Sequence, residues 1–401
     1  MTTILRRVTV VDGTGAPPLR EATVVLSDGR IESVTTSAVP RGDDDHDLPG
    51  HTVLPGFVDA HAHLVFTGGD DPLADVLAAS DDDLAEVAAR NAAAALAAGV
   101  TTVRDCGSRG LVMQRLRDDI AAGRRPGPRL LVAGPPICAP RGHLWFMGGE
   151  LTGPAAEAVQ RLVADGVDHI KVMASGGHMT PGSESRTAEI SAADLTDIVA
   201  TAHQLGVRVA AHAHATEAIE RCVAAGVDTL EHCSWLAPDG FAYRPDLVDA
   251  MLAAGTVVSP TVPVYFRRDP ATLSDDAGAV AEMAAIAASR RETTARMHRL
   301  GVPMVIGTDA GCRGISFGRY AEVVAVYPEA FGFTPLEAIR AATSTAADAL
   351  GIGERVGRIA PGYVADVVVV DGDPSVDIGS LARVREVYQG GVARLTAARR
   401  R

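Results

Sequence analysis

The sequence predicts an α/β fold: a (β/α)8 barrel carrying a small β-sandwich domain built from both termini. Three observations predict it. Short apolar runs alternate with helical stretches from residue 80 to 351, eight of the runs read as strands, and both ends of the chain have a different, hairpin-like texture. A length of 401 residues suits one barrel of about 250 residues plus a smaller module.

The eight strand candidates are Leu54–Leu64, Thr101–Asp105, Arg129–Ala133, His169–Ala174, Arg208–His214, Thr229–His232, Thr256–Thr261 and Pro303–Asp309. Between them lie alanine-rich amphipathic helices, among them Asp82–Ala98, Ser191–Leu205, Thr216–Ala225, Pro245–Ala254 and Thr334–Leu350. Gly99, Gly206, Gly226, Gly255 and Gly301 follow helical stretches as left-handed stops just before the next strand. Residues 1–53 carry Val/Thr/Ile runs broken by Asp12-Gly13 and Asp28-Gly29, a hairpin signature, and the chain returns to this texture after Gly357. The expected organisation is a composite β-domain of residues 1–53 and 357–401, with the barrel, residues 54–356, inserted between its halves.

Composition narrows the function. A hydrophobic share of 47% with only 4% aromatics describes a globular core of Ala, Val, Leu and Ile. The net charge of −13 argues against nucleic acid and anionic membrane surfaces as partners, and leaves a small-molecule substrate. No apolar run is long enough to span a bilayer, and the N-terminus enters a strand pattern without a secretory signal. The five cysteines, Cys106, Cys138, Cys222, Cys233 and Cys312, are odd in number and scattered, as expected of reduced thiols in a cytoplasmic protein. A homo-oligomer is left open.

One residue stands out. Of 37 basic residues, Lys171 is the only lysine, and it sits in the apolar run Ile170-Lys171-Val172. Coding bias explains the arginines. A retained lysine points to chemistry that arginine cannot perform, because a buried amine can lose its proton.

The strongest local motif is Asp59-Ala60-His61-Ala62-His63. Residues two apart on a strand face the same side, so both histidines point to one place at the end of the first barrel strand, where barrel active sites lie. An isolated pair of this kind is a weak signal. Here His212 and His214 close the fifth strand, His232 the sixth and Asp309 the eighth, with Lys171 on the fourth. Packing explains any one of them more readily than all of them together.

This series resembles the binuclear metal branch of the amidohydrolase superfamily, and within it the prolidase-type and ochratoxinase-like enzymes. The resemblance spans nearly the whole chain, from residue 54 to 373. It implies a lysine carboxylated by CO2, bridging two divalent metal ions, usually Zn2+. Carried over position by position, His61, His63 and Asp309 hold one ion, His212 and His232 the other, with Lys171 shared. Neutral imidazoles and carboxylates suit zinc, and paired cations need an anionic bridge. Two metals would activate a shared water and polarise the scissile carbonyl, with Asp309 as the general base. The resemblance gives His143 a hydrogen bond to the substrate carbonyl and His214 a substrate contact, although spacing alone leaves His212 and His214 equivalent.

The reaction expected is hydrolysis of an amide in a dipeptide or N-acyl amino acid-like substrate. Prolidase-type relatives carry a tyrosine at the position of His214, so the grip on a substrate carboxylate is expected to differ. Arg141 and Arg186 lie in loops that could reach the mouth. The alternatives are a mononuclear deaminase or cyclic amide (imidazolone) hydrolase, against which Lys171 counts, and a non-catalytic scaffold, against which the full ligand series counts. In the deaminases a glutamate follows the fifth-strand histidine; here Glu217 comes five residues after His212. Among other candidates, His178 lies in a glycine-rich loop, Gly176–Gly182, that reads as a lid or as a solvent-facing turn. His46, His51, His203 and His298 are expected to be structural, in loops or on outer helices. Cys233 is expected to point outward and Cys312 to lie in a loop, neither a ligand.

Overall fold

The structure, a computed structural model, describes residues 2–261 and 276–396. Met1 and residues 397–401 of the expected terminal domain, and 262–275 of the expected barrel, lie outside the described residues. The N-terminal strands are β1 (Thr2–Val10), β2 (Leu19–Ser27), β3 (Arg30–Thr35), β4 (Asp44–Asp47) and β5 (His51–Pro55). The central strands are β6 (Phe57–Ala62), β7 (Val100–Asp105), β8 (Arg129–Val132), β9 (His169–Met173), β10 (Arg208–Ala215), β11 (Thr229–Ala237), β12 (Gly240–Phe241) and β13 (Val257–Ser259). Three more follow: β14 (Val367–Asp371), β15 (Val384–Gln389) and β16 (Val392–Thr396).

The two ends of the chain form one sheet. Its order is β16-β15-β14-β5-β1-β2-β3, with β4 added on β1. Between β2 and β3, Asp28 and Gly29 both take positive φ (49° and 76°), the primed turn that an Asp-Gly pair favours in a hairpin. One apolar cluster joins Val8, Val24 and Leu26 to Val367, Val369 and Tyr388, so neither terminus buries its strands without the other.

The central strands pair in two groups, parallel throughout except that β12 lies antiparallel on β11. One runs β12-β11-β10-β9 with β13 on β11, and the other β6-β7-β8. The sequence places one strand over Leu54–Leu64; the structure splits it. Leu54 and Pro55 end β5 against β14, and the chain turns through Gly56 into β6. The eighth candidate, Pro303–Asp309, makes no continuous ladder. Pro303 has no N–H to give and Asp309 stands at φ 58°, so the segment joins its neighbours through separate hydrogen bonds. Val258 N donates to Pro303 O (2.9 Å), Ala60 N to Ile306 O (3.0 Å) and Asp309 N to His61 O (2.8 Å). β8 and β9 form no ladder: Asp168 N donates to Val132 O (2.8 Å), and beyond the end of β8 Ile137 bridges to Val172.

Helices occupy the expected intervals, including Asp81–Ala97, Ala192–Gln204, Thr216–Ala225 and Pro245–Ala254. The long C-terminal helix expected at Thr334–Leu350 is two helices, Pro335–Ala341 and Ser344–Ala349. Thr343 leaves helical geometry between them, at ψ −94°. A 23-residue helix, Ala277–Arg299, went unforeseen. No described helix is long and apolar enough to cross a membrane.

His46 and His51 are corrections: both lie in the terminal sheet rather than in loops or on outer helices, whereas His203 and His298 are on helices as expected. The His46 ring bonds Asp44 (2.8 Å) and Glu386 (3.2 Å), and Tyr388 donates to Glu386 (2.8 Å). Glu386 and then Asp44 raise the His46 imidazole to about 9 against the opposing effect of its burial. A raised folded-state value stabilises the fold fully below pH 6.5 and loses that contribution as pH climbs through about 9. His46→Gln should therefore lower the thermal midpoint most at pH 6, with the gap to the parent closing by about pH 10. A gap that stays constant over this range contradicts the charge-pair origin.

Candidate functional site

The site grows from the ends of the central strands. His61 and His63 stand at and just beyond the end of β6, and Asp309 is brought beside them by the hydrogen bonds of the 303–310 segment. Their facing atoms form a near-equilateral triangle. His61 Nε2 to His63 Nε2 is 3.4 Å, and each lies 3.5 Å from Asp309 Oδ1. Such spacing matches the edges of a tetrahedron around an ion with bonds of about 2.0–2.1 Å. Gly307 permits the approach, since a Cβ there would lie 2.6 Å from the Cβ of His61.

A second group gathers His212, His214 and His232, with one donor atom of each within 4.8 Å of the others. The rings of His212 and His232 lie 4.5 Å apart, and those of His214 and His232 stack at 4.4 Å. The two groups meet where the His61 and His232 rings approach to 5.2 Å. Burial, reinforced by neighbouring histidines, holds His63, His212, His214 and His232 well below the usual imidazole range, in the neutral form a metal requires. His61 differs. Burial opposes its proton, but Cys106 and Glu231 outweigh that and raise it to about 9, so an ion binding there displaces a proton.

Lys171 is 1% exposed, lines the same cavity, and its Nζ has no hydrogen-bond partner among the described residues. A buried ammonium left so is costly, whereas a carboxylated Nζ between two cations is not. The donor set and this orphaned nitrogen fit a pair of divalent ions.

His143 is buried rather than an exposed loop residue, its ring centroid 4.7 Å from that of His212. Gly177 packs on it so closely that a Cβ would fall 2.5 Å from the ring, and His212 Nε2 lies 3.0 Å from Gly176 O. The glycine-rich loop is thus anchored at its start against both rings, and His178 is exposed with its ring 5.3 Å from that of His214.

Several residues escaped sequence reasoning. Glu231 is fully buried and bonds His61 Nδ1 (2.7 Å), while Arg104 donates to its other oxygen (2.6 Å) and to Ala60 O (2.6 Å). Burial favours the neutral acid, yet Arg104 and His61 hold Glu231 far below the usual carboxylate range. Asp59 ties β6 to the 303–310 segment, accepting from Thr308 Oγ1 (2.6 Å), Thr308 N (3.0 Å) and His61 N (3.2 Å). Thr261 Oγ1 lies 2.6 Å from His232 Nδ1, and Arg290 donates to the carbonyls of Pro260 and Thr261. Cys312 lines the cavity and donates its S–H to Asp309 Oδ1 at 3.4 Å, whereas Cys233 is buried in the main apolar cluster.

The cavity has a volume of about 530 Å³. Polar groups from both histidine groups face an apolar wall that includes Met179, Met283, Ile286 and Ile315. Arg141 and Arg186 do not line it, a correction to the expectation from their loops. Arg186 is engaged by Ala237 O and Gly240 O, and Arg141 lies over the Trp145 ring. Arg290 and Arg313 line it instead. Glu217 pairs with Arg221 on the next helix and is not in the wall.

Glu231 generates a prediction. Glu231→Gln removes the charge that orients His61 and leaves Arg104 unbalanced. Affinity for a divalent ion should fall about 10- to 100-fold in a chelator competition. An unchanged affinity would mean His61 is positioned by packing alone.

Comparison with known proteins agrees with this geometry. Residues 52–394 match the model of the amidohydrolase family. The chain is 28% identical to the ochratoxinase of Aspergillus niger over 431 aligned positions, covering 97% of this chain and 86% of that one. It is 27% identical to the imidazolonepropionase of Ralstonia nicotianae, covering 92% and 90%. Among solved structures it superposes on a Xaa-Pro dipeptidase with bound methionine in the active site, at TM-score 0.88 and 27% identity over 98% of this chain and 99% of that one. With the match spanning most of its length, the chain belongs to the amidohydrolase family.

Proposed function

We propose that this hydrolase cleaves the amide bond of a dipeptide or N-acyl amino acid, using two divalent ions bridged by a carboxylated Lys171. The observation that carries it is the buried Lys171 Nζ, without a hydrogen-bond partner among the described residues, in a cavity lined also by His63, Asp309, His212 and His232, with His61 grouped beside His63 and Asp309. A further proposal is architectural: the two central sheets and the 303–310 segment make up a (β/α)8 barrel over residues 54–356. Residues 1–53 and 357–401 form the composite β-domain. The hydrogen bonds from Val258 and Ala60 to the 303–310 segment support it.

The ions, which we take to be Zn2+, supply Lewis-acid polarisation of the scissile carbonyl and a nucleophile available at neutral pH. The protein does the rest. His143, kept neutral at about 3 by burial and then by His178 and Lys171, donates a hydrogen bond to the substrate carbonyl. Asp309 takes the proton of the attacking water and returns it to the departing amine. His214, in the second histidine group by position, contacts the substrate in this reading. The enclosing wall of methionine and isoleucine side chains excludes bulk water.

The Xaa-Pro dipeptidase neighbour, with methionine bound in its active site, favours an amide bearing a free carboxylate. The imidazolonepropionase relative favours a cyclic amide. A kinetic screen of dipeptides, N-acyl amino acids and cyclic amides separates the two. Turnover confined to cyclic amides would overturn the first reading.

Two variants test the roles. Lys171→Ala should lose at least one ion by elemental analysis together with nearly all activity, and full retention of both refutes the bridge. Asp309→Asn should lower kcat at least about 10²-fold. A variant within a few-fold of the parent points to another base.

A further inference from the structure

The His143 ring keeps its place without a bond at Nδ1, which is buried and has no hydrogen-bond partner among the described residues. The ring packs on that of His212 and on Gly177, where a Cβ would fall 2.5 Å from Cε1 and Nε2. The turn that carries it is strained, with Arg141 at φ 56° and Leu144 at φ 58° on either side. Such a turn persists only where its surroundings over-determine it. Side chains from outside the turn do so here. Arg141 N donates to Glu150 Oε1 (2.7 Å), His143 N to Glu189 Oε2 (2.8 Å) and Leu144 N to Thr180 Oγ1 (2.9 Å).

Glu189 differs from Glu150 and Thr180 in what its second oxygen holds. Oε1 accepts from Ser183 Oγ (2.7 Å), and Ser183 Oγ accepts in turn from Gly177 N (3.2 Å). One carboxylate therefore fixes the backbone of His143 and, through Ser183, the glycine that presses on its ring. Glu189 is itself rooted in the scaffold: its N–H donates to Ala174 O (2.8 Å), next to the end of β9, and the adjacent Ala188 bridges to Ser175. We propose that Glu189 is a positioning residue, which aims His143 at the scissile carbonyl by holding the strained turn and Gly177 in one register. The inference rests on the reading of His143 as donor to that carbonyl. A donor of this kind works by being in place before charge develops, so a shift of about 1 Å costs on the order of 10²-fold in rate. Glu189 acts through its acceptor oxygens rather than its charge. Glutamine keeps one acceptor for His143 N and offers an N–H to Ser183 Oγ, so it can serve in the same place.

The test is a mutant cycle on the zinc-loaded enzyme, using the best substrate of the kinetic screen and measuring metal content in each protein. Glu189→Ala should lower kcat about 10- to 100-fold, with KM and metal content little changed. Glu189→Gln should restore kcat to within a few-fold of the parent. In a His143→Phe background, Glu189→Ala should cost little more, because the two residues act as one unit. A Glu189→Ala enzyme as fast as the parent, or one that loses the same factor again in the His143→Phe background, overturns the proposal while the donor reading of His143 stands. If His143→Phe alone leaves kcat unchanged, the donor reading fails, and a catalytic role for Glu189 fails with it. Amide hydrogen exchange followed by mass spectrometry needs no substrate. Peptides covering residues 140–146 and 176–183 should exchange faster in Glu189→Ala than in the parent or Glu189→Gln. Equal exchange in all three proteins overturns the positioning role.

Discussion

A carboxylate with no exposure to water, shared between an arginine and a histidine, is the constraint on which the site depends. Glu231 bonds Arg104 with one oxygen and His61 with the other, and Arg104 reaches on to Ala60 O and Thr229 Oγ1. Three buried ionisable groups of this kind are costly singly and tolerable only together. Their joint geometry fixes the His61 ring with Nδ1 occupied and Nε2 turned toward His63 and Asp309. The pairing also stitches β6, β7 and β11 together across the centre of the fold. Removing Glu231 leaves the Arg104 charge uncompensated among strands that carry the proposed metal ligands.

Around that chain the backbone is bent to purpose. β11 carries His232, Cys233 and Trp235 at φ 68°, 48° and 56°, and its register against β10 shifts between Ala213 and Ala215. This irregularity lets neighbours Glu231 and His232 both serve the site, the former holding His61 and the latter facing His212 and His214. Thr261, also at positive φ (43°), caps His232, and Asp309 (58°) meets His61. Strained non-glycine residues thus concentrate where side chains converge, as expected where packing over-determines a functional arrangement.

Much of the molecule was legible in the sequence. The β9, β10 and β11 starts, the helices that follow them and the joining of both termini in one sheet follow from periodicity and turn chemistry. So does the convergence of His61, His63, Lys171, His212, His232 and Asp309, because strand ends in such folds face a common rim. The failures have physical causes. Alternation along β11 gives no hint that residue 231 also turns to the site, since a bulge cancels the period of two. Asp59 and Arg104 resemble ordinary strand residues until their long-range partners are known. The wall formed by Met283, Ile286 and Arg290 belongs to a helix with no strong apolar stripe. Pro303, which has no N–H, and Asp309, at positive φ, interrupt the ladder expected of the eighth strand.

The central claim is that Lys171 is a carboxylated bridge between two ions. Purifying the protein with zinc and 13C-bicarbonate and recording its 13C NMR spectrum tests this most directly, with metal content measured on the same sample. The account predicts one carbamate resonance and about two divalent ions per chain, with the resonance lost when the ions are chelated. A protein that binds about one ion or none, and gives no carbamate signal under zinc saturation, would contradict it.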